Sequence, residues 1–130
     1  MSKKYGFGKT VETGFDETIE KVTAELQKEG FGILTDIDVK ATLKKKLDKD
    51  VAPYRILGAC NPPLADKAIS NEPSIGLLLP CNVVVREVDG GKIMVEFIDP
   101  DMMVELIDNN AIKEIACEAK EKLKRVCDAL

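Results

Sequence analysis

The chain has 130 residues, 45% hydrophobic and 32% charged, with 19 basic and 23 acidic side chains and a net charge of −4. That size suits a single domain over residues 1–130 whose core needs no staple, and the apolar content excludes a disordered chain. The acidic balance speaks against a nucleic-acid partner, and the absence of histidine removes the commonest general base and metal ligand together.

No apolar run of signal-peptide length follows Met1 to Gly8. The longest uncharged stretch, Pro73 to Val85, falls short of the roughly 20 apolar residues of a membrane span. The expectation is a cytoplasmic protein with reduced thiols and no membrane partner. Residues 1–52 carry ten basic and ten acidic side chains, and residues 53–130 carry nine and 13, so the acidic excess lies in the second part.

Residues 4–11 alternate loosely and predict a first strand through Tyr5, Phe7 and Val11. Gly8-Lys9-Thr10 imitates the end of a phosphate-binding loop, but the pattern needs a glycine where Lys3 stands, so these residues read as strand. Thr13-Gly14-Phe15-Asp16 resembles a capping box with a shortened carboxylate. Phe15, Ile19, Val22 and Leu26 then mark one face of a helix over 15–29, closed by Gly30 as a left-handed cap with Phe31 covering the end.

A second strand is expected from Phe31 to Ile37, with Phe31, Ile33 and Ile37 apolar on one side and Leu34 facing the other way. Asp38 caps a second helix through Val39, Leu43 and Leu47, in which Lys44-Lys45-Lys46 offsets the helix C-terminal dipole. Pro53 to Cys60 predicts a third strand, and Asn61-Pro62 supplies a cap followed by proline at the first helical position. Leu64, Ala65, Ala68 and Ile69 make the apolar side of the short helix that follows.

Ile75 to Leu79 reads as a buried strand interrupted at Pro80-Cys81. Segments 82–88 and 92–98 flank the turn Asp89-Gly90-Gly91 as a hairpin. Asp99-Pro100-Asp101 opens another short helix, and from Asn110 onward Ile112, Ile115, Ala116, Ala119, Leu123, Val126 and Leu130 stripe a long final one. Strands gathered in the middle with helices before and after predict an α+β fold. Its sheet is mainly antiparallel, with helices 15–29 and 111–128 packed on one face.

Asp99, Asp101, Glu105 and Asp108 lack the glycine of a calcium loop, and capping accounts for the first two. Cys60 is more informative: it ends a strand just before a helix start, where free N–H groups and the helix dipole favour thiolate. Cys81 lies at a second strand break, and both cysteines are followed by asparagine, so Cys60-Asn61-Pro62 and Pro80-Cys81-Asn82 read as two walls of one site. Burial as small inert hydrophobes is the plain alternative. With no Cys-x-x-Cys pair and no histidine, no tetrahedral metal shell and no cofactor are expected. Cys117 and Cys127 sit beside the final apolar stripe, where packing explains them.

Gly30-Phe31, Ala59-Cys60-Asn61-Pro62, the run from Leu78 to Arg86 and Ile98-Asp99-Pro100 together resemble a prokaryotic family known as domain of unknown function 302. The resemblance covers nearly the whole chain from Tyr5. It implies a β-α-β4-α domain with a curved antiparallel sheet, similar in outline to one repeat of the TATA-binding-protein fold, and often a homodimer. The short helices at 39–47 and 63–70 would be insertions, and the fold analogy carries no chemistry with it.

The candidate site residues are Cys60, Asn61, Pro62, Pro80, Cys81, Asn82 and Arg86. Val83-Val84-Val85 is apolar on both faces, which also points to a homodimer, since both long helices are already placed on one side. The leading expectation is a homodimeric binding module with a cysteine-lined site for a small ligand or a protein partner. The alternative is thiol redox or transfer chemistry with Cys60 as nucleophile and Cys81 as resolving thiol. A purely structural partner protein is the third reading.

Overall fold

The computed structural model describes residues 5–130. Lys3 and Lys4, which entered the sequence reading of the first strand and its loop pattern, lie outside them. In chain order the elements are β1 (Gly6–Val11), α1 (Phe15–Lys28), β2 (Gly32–Asp38), α2 (Val39–Leu47), β3 (Tyr54–Cys60) and α3 (Pro62–Asn71). A 3-10 segment (Pro73–Leu78) precedes β4 (Cys81–Glu87), β5 (Ile93–Ile98), α4 (Asp101–Leu106) and α5 (Asn110–Asp128). The five strands form one sheet in the order β1-β5-β4-β3-β2, with antiparallel pairing throughout.

Alternation along the strands sends Leu57, Ala59, Val83, Val85, Ile93, Val95 and Phe97 to one face, where they are buried against Val22 and Leu26 of α1 and Leu123 and Val126 of α5. This is the expected α+β arrangement, with both long helices on one side of the sheet. The N-terminal half of α5 serves a second core, in which Ile112 and Ala116 meet Ala68, Ile75 and Met103. One long helix therefore joins the sheet to the cluster of short elements.

The local signals explain most boundaries. Gly30 takes φ 83°. It lets the Phe31 and Gly30 N–H groups return to Leu26 and Gln27 carbonyls at 2.9 and 3.0 Å, which ends α1. Asp38 accepts from the Ala41 N–H at 2.9 Å and starts α2.

Three expectations are corrected. The capping box at α1 does not form: Gly14 is the cap residue, and the Thr13 hydroxyl shares a 2.7 Å hydrogen bond with the Thr18 hydroxyl. The strand expected over Ile75–Leu79 is the 3-10 segment, opened by Pro73 and burying only Ile75. The ladder of β3 is already filled by β2 on one side and by residues 81–86 on the other, so it has no open edge for a further strand. In β2 a bulge at Leu34 reverses the alternation: Ile33 stays opposite Ala59, whereas Ile37 faces Ile56 on the other side of the sheet.

Candidate functional site

Cys60 is the last residue of β3, Asn61 is the cap of α3, and Pro62 and Pro63 fill its first two helical positions. Two prolines there contribute no N–H group. Of the remaining first-turn donors, Leu64 N–H goes to the Asn61 side-chain oxygen at 3.3 Å and Ala65 N–H to the Asn61 carbonyl at 2.9 Å. Both of these N–H groups are thus bonded to Asn61 and not to the Cys60 sulfur.

Cys81 opens β4 directly opposite Ala59 in the β3–β4 ladder, one residue along from Cys60. Both cysteines line a cavity of about 320 Å³ between the end of β3, α3, α4 and α5. Leu64, Ala65 and Ala68 of α3, Met103 of α4, and Ile115 and Ala119 of α5 are among the other residues of its wall. No charged side chain is among its lining residues. Four alanines, Ala59, Ala65, Ala68 and Ala119, are among its lining residues. Burial pushes the Cys81 thiol up to about 11, and the neighbouring Cys60 adds to the shift.

Of the residues singled out in the sequence, Cys60, Asn61, Pro80 and Cys81 line this cavity. Pro62 is exposed outside it. Asn82 and Arg86 stand on the opposite face of the sheet, where Arg86 Nε donates to Glu96 Oε1 at 2.8 Å. The sequence reading did not include Ala65, Met103, Ile115 or Ala119 in the site. The acidic group of the second half is structural in part: Lys120 Nζ lies 3.2 Å from Asp99 and 2.6 Å from Asp101, holding α4 against α5. Lys44 pairs with Asp48 at 2.9 Å, and Gly8-Lys9-Thr10 lies within β1.

A family model described as "Domain of unknown function DUF302" matches residues 7–130. The chain belongs to this family. A crystal structure of an uncharacterized conserved DUF302 protein from Bacillus stearothermophilus is similar at 32% identity, with a TM-score of 0.89, over 97% of this chain and 98% of that one. None of the curated proteins matches the chain. The DUF302 membership agrees with the resemblance carried by the two cysteine motifs. Among the described residues, no helix of this DUF302 chain is long and apolar enough to cross a membrane.

Proposed function

We propose that this protein is a homodimeric binding module that takes a small ligand into the cavity beside Cys60 and Cys81. The observation that carries the reading is a space of about 320 Å³ lined by both cysteines and by no charged side chain. That volume falls within the usual range of small-molecule sites, roughly 300–1,000 Å³. Its lining favours an apolar or soft ligand over a hard ion, because a hard ion entering it would lose water and meet no charged oxygen or nitrogen group.

The same lining weighs against redox chemistry. With its thiol raised to about 11, Cys81 holds only about one thiolate in 10⁴ at pH 7, and thiolate is the species that resolves an oxidised partner. A reducing compartment such as the cytoplasm, where thiols stay reduced, belongs to the same reading.

The second copy covers the sheet face opposite α1 and α5. Ile56, Val84, Met94 and Ile98 lie there, partly exposed, around the Arg86–Glu96 ion pair. A shallow concavity of about 470 Å³ on that face is bordered by Tyr5 and Tyr54. Light scattering at micromolar protein is expected to report twice the chain mass, and a monomer there would overturn the dimer.

Indole is a suitable probe of the cavity because the chain contains no tryptophan, so indole fluorescence can be followed directly. Saturable binding with a blue shift is expected, and Ala65→Phe, which fills space from a partly buried lining position, should remove it. Binding unchanged in that variant, or absent from the native protein, would overturn the reading.

A further inference from the structure

Three sulfur-bearing residues are among those lining the cavity: the thiols Cys60 and Cys81 and the thioether Met103. No carboxylate, imidazole or amine joins them in the lining, and the polar side chains there are Thr35 and Asn61. Buried cysteine and methionine normally serve as filling for a core. Met103 does so in the second core and Cys81 packs against the first, but all three residues also line one shared cavity, each delivered by a different element.

Cys60 comes from the end of β3 and Cys81 from the start of β4, neighbours through the Ala59–Cys81 ladder pair. Met103, only 7% exposed, comes from α4. Lys120 of α5 pins the start of that helix through Asp99 and Asp101, which fixes the position from which Met103 projects.

We infer that this cavity is a binding site for one soft monovalent cation of the Cu(I) type, held by the sulfurs of Cys60 and Cys81 with the Met103 thioether as third ligand. The inference rests on the binding-module reading and names its ligand class. Thiolate and thioether donors select Cu(I) by softness. Calcium and magnesium require sets of oxygen ligands that the lining does not offer. Structural zinc takes four ligands from cysteine, histidine and carboxylate, of which only two are here.

On binding, both S–H bonds break, two S–Cu bonds form, two protons pass to solvent and the metal stays at +1, so no oxidant or reductant is consumed. The site then carries one net negative charge.

The test is an anaerobic titration of the full chain with Cu(I) against the coloured chelator bicinchoninate. The expected result is one Cu(I) per chain, with affinity lowered at least about tenfold in Cys60→Ser and in Cys81→Ser, less in Met103→Leu, and not at all in Cys117→Ser. A second measurement needs no variant: Cu(I) should slow alkylation of Cys60 and Cys81 together in the native protein, read by peptide mass, while Cys117 continues to react. Copper left with the chelator, native affinity retained in either serine variant, or protection confined to Cys117 would overturn the inference. Indole binding without copper uptake would overturn the copper site and sustain the binding module, whereas loss of both would overturn both.

Discussion

The carboxamide of Asn61 ties the end of α1 to the start of α3. Its nitrogen donates to the Glu29 carbonyl at 3.2 Å, and its oxygen accepts from the Leu64 N–H at 3.3 Å. The side chain sits almost wholly inside the protein, so neither partner has water as an easy substitute. Cys60, its neighbour in sequence, is positioned by this junction. Asn61→Ala should therefore cost about 1–3 kcal/mol, as expected when a cap and a second buried hydrogen bond are lost together. Urea unfolding measures it, and a change below about 0.3 kcal/mol would show that the junction is not a stabilising one.

Gly58 stands where β3 passes Thr35 and Pro80. A Cβ added there would overlap the Thr35 hydroxyl and come within 2.8 Å of Pro80 Cγ. Gly58→Ala should destabilise by about 1–3 kcal/mol. Part of that loss should return in Gly58→Ala with Thr35→Ala, because one of the two overlaps is then removed. Full additivity of the two changes in a double-mutant cycle would contradict the overlap.

Leu26 of α1 is 0% exposed and Leu123 of α5 is 1% exposed in the sheet core, whereas Leu34 on the bulge is 69% exposed. Truncating Leu26 or Leu123 to alanine should cost about 2–5 kcal/mol each, while Leu34→Ala should cost less than about 0.5 kcal/mol. Equal losses at Leu34 and Leu26 would place the bulge wrongly.

Arg55 holds the Asp36 carboxyl below its ordinary range through two hydrogen bonds, at 2.7 and 2.6 Å, against a smaller opposing effect of burial. A carboxylate with a lowered folded pKa stabilises the fold above its unfolded value, about 3.9. That contribution is lost as pH falls through the folded value. The stability gap between the native protein and Asp36→Asn should thus be constant from about pH 7 to 5 and shrink below about pH 4. The pair is partly exposed, so added salt should narrow the gap at neutral pH. A gap that widens in acid would contradict the assignment.

Features written in adjacent residues were legible in the sequence. Gly30-Phe31 ends α1, Asn61-Pro62 starts α3, and the four-and-three spacing of Val22, Leu26, Leu123 and Val126 marks the buried helix faces. Features decided by a neighbouring strand were not. Nothing local in Gly32–Asp38 announces the bulge, because it is defined by the pairing of Ile33 and Thr35 with Ala59 and Gly58. The apolar residues after Pro73 suit a strand, but no open ladder is available to accept one.

The candidate site divides the same way. The two cysteine segments suggested two walls, and the cavity is lined by both. Ala65, Ala119 and Met103 carry no local mark, since alanine and methionine on a helix read as ordinary core until packing brings them to one space. Asn82 and Arg86 were grouped with Cys81 by sequence continuity. They lie one and five residues beyond it, odd offsets that a strand turns to the opposite face.

The most direct test of the cavity as the ligand site is a methyl NMR titration of the native protein with indole. Saturable shifts are expected at Ala65, Ala68, Ile115 and Ala119, which line the cavity, with Val84 and Met94 on the opposite sheet face unmoved. Shifts confined to Val84, Met94 and Ile98, or none that saturate, would contradict it.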